Sequence, residues 1–451
     1  MNYHLMAVCG IGVSGLARLL KAQGHQVSGC DARINEMGQQ LIAEGIEVFE
    51  KHSPDHISPD LSALILSTAI RETEPEVLKA RELGIPVLKR IQVLDEVMQG
   101  APASVGIAGT HGKTTTTSLT AVALIGAGLD PSAFVGSVLP DFEGSNVRLG
   151  AGPFVAEIDE SDPQFQHLKV SMAVMTNLED DHVSPDGQAS ENYYPSVEAL
   201  HAAFRQYVDN AQQLIYCADW EGLDAFTAHH PNRVSYGIGH GDYQAFNIES
   251  TDQSQGYDLL VRGVLVGRVH LTLLGNHNVL NSLAALSVVG ELGGDLQGAI
   301  LALSQFRGAG RRWQEIGRRG GALIVDDYAH NPTKVQAALQ AARQTGRRVR
   351  VIFQPHRYKR TQLSWERYAT ILTAADEVIL LDIYGASETP IEGIHSGLIL
   401  ARMQELGFLQ VVYTPTFEEA IEKALSSLQD NDLLLTLGAG DVTRIAVRLL
   451  E

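Results

Sequence analysis

Residues 104–117 read SVGIAGTHGKTTTT, an apolar run followed by a glycine-containing turn and a threonine-rich helical stretch. The turn that ends at Lys113 is typical of a phosphate cradle, because small glycines let backbone N–H groups approach phosphate oxygens at a helix N-terminus. Lys113 would reach the outer phosphates and Thr114 would hold Mg²⁺. The strict pattern GxxxxGK[ST] is not met, since its first glycine would fall at Ile107. A glycine-rich turn with an incidental lysine is the alternative.

Strand-like and helical patterns alternate on both sides of this motif, which favours an α/β fold with parallel sheets. A chain of 451 residues is expected to hold about three domains. We place boundaries near Pro102 and in the glycine-rich segment FRGAGRRW, so the predicted domains are residues 1–100, 101–308 and 309–451. The last domain has five strand-like runs separated by helical segments and is predicted to be doubly wound.

Composition and charge exclude several classes of protein. The chain is 45% hydrophobic and 19% charged, as in an ordinary globular protein, and its net charge of −19 makes nucleic acid a poor partner. The three cysteines, Cys9, Cys30 and Cys217, lack CxxC spacing, which argues against a disulfide framework or structural zinc. The N-terminus shows neither a signal-peptide pattern nor a long apolar stretch, so we expect a cytoplasmic protein with no membrane partner.

A second glycine-rich turn, Gly10-x-Gly12-x-x-Gly15, lies between a strand-like and a helical segment near the N-terminus. Asp31 ends the following strand, where dinucleotide-binding folds place an acid for a ribose. The glycines could serve only tight turning and close helix packing. Otherwise the turn binds either NAD or a pyrophosphate-bearing substrate, and the second phosphate-type turn in the same chain makes the substrate as good an occupant as the redox cofactor.

Carboxylates gather after two apolar strands of the middle domain. The run EIDESD begins at Glu157, and TNLEDDH ends at His182. Active sites of α/β proteins gather at such strand ends, and hard oxygen ligands suit Mg²⁺. A solvated acidic loop and a hydrogen-bonded structural histidine are the ordinary alternatives, but the neighbouring phosphate cradle favours metal ligands.

Basic residues gather in the third domain. The segment FQPHRYKRT carries His356, Arg357 and Arg360 after a buried strand, where such donors can clamp a carboxylate. A solvated basic loop is the alternative. A second group, interpreted as a phosphate-facing cation with acidic neighbours or as a surface ion pair, consists of Arg311, Arg312, Asp326 and Asp327.

Motifs along nearly the whole chain resemble one enzyme family. They are GIGVSG and STAIRETEPE in the first domain, AGTHGKTTTT, EIDESD, TNLEDDH and GNHNVLN in the second, and GAGRRW, VDDYAHNP, FQPHRYKRT and GAGD in the third. Together they resemble the Mur ligase family of peptidoglycan synthesis. The resemblance implies a Rossmann-like UDP-binding domain, a P-loop-type central ATPase domain with a mixed sheet, and a C-terminal Rossmann-like domain that binds an amino acid.

The resemblance further implies an ATP- and Mg²⁺-dependent ligase that joins L-alanine to the lactyl carboxylate of UDP-N-acetylmuramate through an acyl phosphate. The implied catalytic residues are Lys113, Glu157, His182, Arg312 and Asp327, and the implied Mg²⁺ ligands are Thr114, Glu157 and His182. ATP would be bound by Gly109, Thr110, His111, Gly112, Lys113, Thr114, Thr115, Asn278 and Asn281. The UDP-sugar would be bound by Gly10, Ile11, Gly12, Val13, Ser14, Gly15, Asp31, Ser67 and Thr68, and alanine by Tyr328, His356, Arg357 and Arg360.

Two positions depart from the pattern of the family. Phe204 stands where several sister ligases carry a carbamylated lysine, and Asn331 stands where relatives usually have a second histidine. A muropeptide-recycling ligase that adds a tripeptide to the same sugar nucleotide is the nearest alternative, and an NAD-dependent oxidoreductase is the alternative from another class. The segments FQPHRYKRT and DIYGASETPIEG favour the alanine-adding branch. Both a monomer and a homodimer are compatible with the sequence.

Overall fold

The computed structural model describes residues 1–68, 70–184, 187–188, 193–251, 254–306, 308–386 and 388–451. Three separate sheets with flanking helices confirm the predicted three-domain α/β fold. The chain packs into two compact units, described separately below. The first unit comprises Met1–Phe246, Asp258–Val269 and Leu280–Phe306, and the second comprises Asn247–Tyr257, His270–Val279 and Arg307–Glu451. The predicted domain boundaries at residues 100 and 308 stay predictions.

The first sheet has five parallel strands in the order β3-β2-β1-β4-β5. Its first strand ends at Met6, because Ala7 has a φ of +60° and starts the turn. The elements are β1 (Asn2–Met6), α1 (Ile11–Ala22), β2 (Gln26–Asp31), α2 (Glu36–Ala43), β3 (Glu47–Glu50), β4 (Ala63–Leu66), α3 (Pro75–Glu82), β5 (Val87–Lys89) and α4 (Arg90–Gln99).

The second sheet has ten strands in the order β15-β14-β13-β12-β11-β10-β6-β9-β7-β8. It is mixed, since β6 pairs in parallel with β9 and β10 whereas β7 and β8 are antiparallel. The strands are β6 (Ser104–Ala108), β7 (Ser132–Leu139), β8 (Ser145–Arg148), β9 (Phe154–Glu157), β10 (Met172–Met175), β11 (Gln213–Cys217), β12 (Arg233–Ile238), β13 (Tyr243–Ser250), β14 (Gln255–Val261) and β15 (Val264–Leu271). The helices are α5 (Lys113–Gly126), α6 (Val197–Asp209), α7 (Leu223–Thr227), α8 (Asn276–Glu291) and α9 (Leu296–Gln305).

The third sheet has six strands in the order β16-β17-β21-β18-β19-β20. Five are parallel and correspond to the five predicted runs, and β16 is an antiparallel edge strand that the sequence pattern did not predict. Its elements are β16 (Gln314–Arg319), β17 (Ala322–Asp327), α10 (Pro332–Gln344), β18 (Arg348–Phe353), α11 (Tyr358–Leu372), β19 (Glu377–Leu380), α12 (Gly397–Glu405), β20 (Val411–Tyr413), α13 (Phe417–Ser426), β21 (Asp432–Leu437) and α14 (Thr443–Arg448).

Central strands of all three sheets are buried on both faces, as doubly wound sheets require. The strands β4, β10 and β21 are buried along their whole length. Residues that follow the carboxyl ends of such strands are therefore the ones that reach solvent and ligands. In the described part of the chain, we find no helix with the length and apolar character needed to cross a bilayer.

Candidate active site

The phosphate-type turn connects β6 to α5 in the first compact unit. Gly109 and Gly112 have φ angles of +129° and +79°, which side-chain-bearing residues rarely adopt. A Cβ atom on Gly112 would lie 2.6 Å from Oδ1 of Asn281, so glycine is needed there for packing as well. The same Asn281 oxygen accepts a hydrogen bond of 3.1 Å from Thr116 Oγ1 on α5. Asn281 thus lies against the phosphate-type turn, and its predicted contact with ATP stays a prediction.

Lys113 is the first residue of α5, and its side chain folds back over the turn. Its Nζ donates to the carbonyl of Gly109 at 2.6 Å and lies 2.6 Å from Glu160 Oε2. Burial lowers the pKa of Lys113, but the carboxylates of Glu160, Asp159 and Glu157 outweigh burial and hold that pKa above its ordinary value. The lysine is therefore a fixed positive charge at the phosphate-type turn.

Thr114 and Glu157 lie next to each other as predicted. Thr114 Oγ1 donates to Glu157 Oε1 at 2.9 Å, and the other carboxylate oxygen accepts from the backbone N–H of Gly136 at 2.8 Å. A Cβ on Gly136 would lie 2.4 Å from that oxygen, so the close approach requires glycine. The pair presents oxygen donors of the kind Mg²⁺ prefers.

His182 lies in a turn after β10 with a φ of +60°, and its backbone N–H donates to Asp181 Oδ1 at 2.9 Å. It is electrostatically coupled to Asp159. Burial raises the pKa of the Asp159 carboxyl, but the charges of Lys113, Arg90 and His182 outweigh burial and lower that pKa. Asp159 at the strand end is therefore under the electrostatic influence of both His182 and Lys113.

Several polar contacts from the TNLEDDH segment hold the phosphate-type turn in place. His111 Nε2 lies 2.7 Å from Glu179 Oε2, and the His111 backbone N–H donates to Asn177 Oδ1 at 2.7 Å. Thr110 Oγ1 accepts from the Glu179 N–H at 2.9 Å. Thr115 is buried on the first turn of α5. We did not predict the anchoring roles of Asn177 and Glu179, because no local pattern links two turns more than sixty residues apart.

The N-terminal glycine-rich turn, residues 10–15, enters α1 with Gly10 as its N-cap. A Cβ on Gly15 would lie 2.6 Å from Asn146 Nδ2, so this glycine serves close packing, as the more modest interpretation expected. Asp31 accepts a 3.0 Å hydrogen bond from the Cys9 N–H and so anchors the turn. Ser67 and Thr68 follow β4 at the same carboxyl edge. The remaining residues of the predicted UDP-sugar set are Ile11, Gly12, Val13 and Ser14, within or at the start of α1.

Arg90 is a residue that sequence reasoning missed. It begins α4, and a Cβ on Gly12 would lie 2.6 Å from its Nη1, so the guanidinium packs on the glycine-rich turn. It also acts electrostatically on Asp159 and Asp162 of the EIDESD run. A cation at the N-terminal turn thus acts electrostatically on the acids at the strand end. In the sequence, Arg90 is marked by nothing more than its place after a short strand-like run.

In the second compact unit, Arg311 and Asp326 form a pair that is not on the surface. Arg311 Nε lies 3.0 Å from Asp326 Oδ2, and that aspartate is fully buried. Arg311 also donates to the carbonyls of Gly438 and Gly440 at 2.7 and 3.1 Å. These contacts give Arg311 a structural role in an ion pair whose aspartate is buried, while the arginine side chain stays 25% exposed. Its interpretation as a phosphate-facing cation stays a prediction.

Arg312, Asp327 and Tyr328 lie together, as the family resemblance predicted for the first two. The Arg312 guanidinium lies 4.8 Å from the centre of the Tyr328 ring. Asp327 accepts from the N–H groups of Trp313 and Ala329, both at 2.8 Å. Burial raises the pKa of Asp327 although the charge of Arg312 opposes this. The two rigid hydrogen bonds fix this carboxyl at the end of β17.

The basic group after β18 is also assembled. The His356 ring stacks on Tyr384 at 5.6 Å between ring centres, and Arg360 Nη1 lies 3.4 Å from His356 Nδ1. Arg357 has a φ of +69° and occupies the N-cap position of α11, without a capping hydrogen bond from its side chain. Burial, reinforced by Arg360, Arg357 and Arg311, lowers the pKa of His356 to about 3. The histidine is therefore neutral at ordinary pH, and the arginines carry the positive charge.

Three further positions behave in ways their sequence context explains. Asn331 caps α10, its Oδ1 accepting from the Lys334 N–H at 3.0 Å, which gives this departure a structural role. Phe204 is fully buried with its ring 5.0 Å from that of Phe165, so an apolar contact replaces the modified lysine of sister ligases. Asn278 is buried in the first turn of α8 and donates to the Leu274 carbonyl at 2.8 Å.

Family models match almost the entire chain. The models described as Mur ligase family, catalytic domain, Mur ligase middle domain, and Mur ligase, glutamate ligase domain match residues 2–101, 107–289 and 311–440. Because these models together match well over half of the chain, the chain belongs to the Mur ligase family.

Relatives point to one branch of that family. The UDP-N-acetylmuramate–L-alanine ligase of Deinococcus radiodurans is 49% identical over 99% of this chain and 92% of its own length. The crystal structure of the UDP-N-acetylmuramate–alanine ligase of Thermotoga maritima is 28% identical, covers 100% of this chain and 98% of its own, and has a TM-score of 0.85. A murein peptide ligase from Psychrobacter arcticus has a TM-score of 0.73 at 24% identity, covering 100% of this chain and 98% of its own, which shows a shared fold.

Proposed function

We propose that this chain joins L-alanine to the lactyl carboxylate of UDP-N-acetylmuramate with cleavage of ATP to ADP and phosphate, a step in peptidoglycan synthesis. The observation that carries the proposal is its 49% identity, over nearly its whole length, to a ligase with that substrate name. The assembled phosphate-type turn and the basic group after β18 support the two halves of the reaction, phosphate transfer and amino-acid binding.

The first step is carboxylate activation. The lactyl carboxylate attacks the γ-phosphorus of ATP, the bond to the β-phosphate oxygen breaks, and ADP leaves an acyl phosphate behind. Lys113 and the N–H groups of residues 109–115 stabilise the charge on the phosphates, which is the main catalytic contribution in phosphoryl transfer. The contacts of Asn281 with the turn support its assignment to the nucleotide, and we keep Asn278 in that set.

Magnesium fits the residues beside this turn. Thr114 Oγ1 and Glu157 Oε1 lie 2.9 Å apart at the end of a strand, and both are oxygen donors. We propose that Thr114 and Glu157 hold one Mg²⁺ ion and that His182 and Glu157 hold a second. When bound, the ions would supply positive charge to the phosphate oxygens. The chain's own contribution is to keep these ligands in place through Gly136 and the turn of His182.

The second step is aminolysis. The neutral amine of L-alanine attacks the acyl carbon, a tetrahedral intermediate forms, and phosphate leaves with the electrons of the C–O bond while the nitrogen loses a proton. No enzyme nucleophile is needed. His356, Arg357 and Arg360 are proposed to hold the alanine carboxylate, for which planar guanidinium donors are suited. Tyr328 is proposed to limit the space for the methyl group.

Two sets of residues complete the proposal. The turn formed by residues 10–15, together with Asp31, Ser67 and Thr68, is proposed to bind the UDP part of the sugar nucleotide, since backbone N–H groups at a helix N-terminus suit a pyrophosphate. Arg312 and Asp327 are proposed to act with ATP, on the resemblance to the family alone.

The test is phosphate release by the purified protein with ATP, Mg²⁺ and UDP-N-acetylmuramate, each amino acid being added in turn. We expect turnover with L-alanine and none when any one of the three substrates is omitted. An arm with L-alanyl-γ-D-glutamyl-diaminopimelate in place of L-alanine tests the recycling reaction. Turnover with that tripeptide but not with L-alanine would contradict the proposal, as would tight NAD binding without UDP-sugar binding.

A further inference from the structure

The first sheet brings metal-ligating side chains together from four separate places in the chain. We call them the histidine–cysteine cluster, and they are His4 on β1, Cys30 on β2, His56 at the end of a short 3₁₀ turn, and Glu76 on α3. One ligand atom from each lies within 4.8 Å of all the others. The argument against structural zinc from the sequence concerned cysteine spacing alone. The fold brings two histidines and a glutamate to Cys30.

Glu76 is at the centre of the cluster. Its Oε1 lies 2.8 Å from His56 Nδ1, 3.2 Å from Cys30 Sγ and 3.9 Å from His4 Nε2. The side chain is fully buried, and among the described residues no lysine or arginine nitrogen forms an ion pair with it. The carboxylate also accepts from the Ser53 N–H at 3.2 Å and lies 3.2 Å from His52 Nδ1. None of these partners carries a permanent charge, and a buried carboxylate without one is unfavourable, so the cluster can receive a cation.

His4 is oriented as a ligand. Its Nδ1 lies 2.8 Å from Ser28 Oγ, which leaves Nε2 directed into the cluster. That Nε2 is buried and has no hydrogen-bond partner, in a side chain with 0% exposure. Metal-binding histidines commonly use their second ring nitrogen for such an outer contact, which fixes the ring. A buried nitrogen that lacks a hydrogen bond and is directed at a thiol and a carboxylate is a second observation, independent of the ligand spacing, that indicates a metal site.

The surroundings suit a stable ion. Cys30 is fully buried, and apolar residues of the first domain, including Met6, Leu64 and Val77, form the core around it. The ring of Phe49 stacks on His56 at 4.3 Å. His52 lies at the rim, with its Nδ1 3.1 Å from Cys30 Sγ, and its side chain is 23% exposed. The apolar residues around the cluster exclude competing water. The partly exposed side at His52 leaves a path by which an ion can enter.

We propose that the histidine–cysteine cluster binds one Zn²⁺ ion that stabilises the first domain. Two imidazoles, a thiolate and a carboxylate are the donors that zinc takes in tetrahedral sites, and the softer sulfur and nitrogen donors disfavour Mg²⁺. Bonds of about 2.0–2.3 Å place tetrahedral donors roughly 3.3–3.8 Å apart, close to the separations of 2.8–3.9 Å around Glu76. The thiolate and the carboxylate together balance the two charges of the ion.

The role of the ion is structural. It would connect β1 and β2 to α3. The ligand Cys30 is followed by Asp31, which accepts a hydrogen bond from the Cys9 N–H and so anchors the glycine-rich turn. Zinc-free protein should therefore have the same fold with a less stable first domain, and the site would persist whichever sugar nucleotide the chain uses.

The experiment is metal analysis and Co²⁺ substitution of the purified full-length protein. We expect one equivalent of zinc per chain, and, after chelation and addition of Co²⁺, the visible bands of tetrahedral cobalt with a thiolate charge-transfer band. Cys30→Ser should remove the charge-transfer band, whereas Cys217→Ser, which changes a buried cysteine of the middle domain, should keep it. Ser28→Ala should weaken binding about 10–100-fold, because it releases the His4 ring.

Ser28→Ala also guards the test against misfolding, since it leaves all four ligands present and removes only the contact to His4. Absence of bound zinc together with absence of a cobalt–thiolate band in the unaltered protein would overturn the proposal. A cobalt–thiolate band that is equal in folded Cys30→Ser and Cys217→Ser would overturn it as well. The cluster would then be a buried hydrogen-bonded network around Glu76.

Discussion

Lys113 carries two kinds of interaction at once. It contacts the carbonyl of Gly109 in the phosphate-type turn, and it pairs with the buried Glu160 at 2.6 Å. Replacing Lys113 removes the positive charge proposed to stabilise the ATP phosphates. It also leaves the buried Glu160 carboxylate without its ion-pair partner. The two effects can be separated, because the second is relieved by neutralising the acid.

We predict that Lys113→Ala lowers the rate of ADP formation by at least about 10²–10³-fold, the usual effect of losing one preorganised charge-stabilising group. The double variant Lys113→Ala, Glu160→Gln should regain thermal stability but not activity. Lys169→Ala, at an exposed lysine of the same domain, is the matched control and should keep its activity. Recovery of activity in the double variant would show that Lys113 acts only by neutralising Glu160.

His356 should make the second compact unit sensitive to acid. Burial lowers the pKa of His356 to about 3, whereas the unfolded chain takes up a proton near pH 6.5. Between these values the unfolded state binds more protons, so stability falls as pH falls from about 6.5 towards 3. His330, whose pKa burial also lowers well below its ordinary value, acts in the same direction.

We therefore predict that melting temperature declines less steeply between pH 6.5 and 4 in His356→Gln than in the unaltered protein. The corresponding difference in the pH dependence of the free energy of unfolding should be at most about 1.4 kcal/mol per pH unit for one fully shifted group. Differential scanning calorimetry over this pH range measures it, and His229→Gln, at an exposed histidine elsewhere, is the control. Parallel pH profiles for the unaltered protein and His356→Gln would contradict the assignment of a buried neutral imidazole.

At the scale of elements, the sequence predicted the alternation of strands and helices better than the elements that lack a clear pattern. The strand β6 coincides with the apolar run before the phosphate-type turn, because Ser104 to Ala108 is short, buried and bounded by turn residues. The helix α1 begins at Ile11, where glycines in its first turns hide the helical pattern. The strand β16 has the sequence QEIGRR, which lacks apolar alternation and forms only as an edge partner of β17.

Capping of α10 is a testable consequence of a departure from the family pattern. Asn331→Ala removes the acceptor of the Lys334 N–H and should lower stability by about 1 kcal/mol. Asn331→Asp keeps an acceptor and should be close to neutral. The melting temperatures of both variants measure this, and equal losses in Ala and Asp would mean that the cap does not carry the role of this residue.

At the scale of the whole molecule, the sequence predicted the contents of the candidate site better than its connections. Glycine turns and strand-end acids are local signals, so Gly112 and Glu157 could be found without coordinates. The contacts of Arg90 with Gly12 and of His4 with Glu76 join residues more than seventy positions apart, and no local pattern carries them. They arise because parallel strands bring distant chain segments to one sheet.

The central claim, activation of a carboxylate by phosphoryl transfer, is tested most directly by following an oxygen atom. If both oxygens of the lactyl carboxylate of UDP-N-acetylmuramate are ¹⁸O and one of them attacks the γ-phosphorus, the later loss of phosphate from the acyl carbon takes one labelled oxygen with it. Mass spectrometry of the phosphate formed with ATP and L-alanine should therefore find one ¹⁸O per phosphate. Unlabelled phosphate, released at the same rate as the amide product, would contradict the acyl-phosphate mechanism.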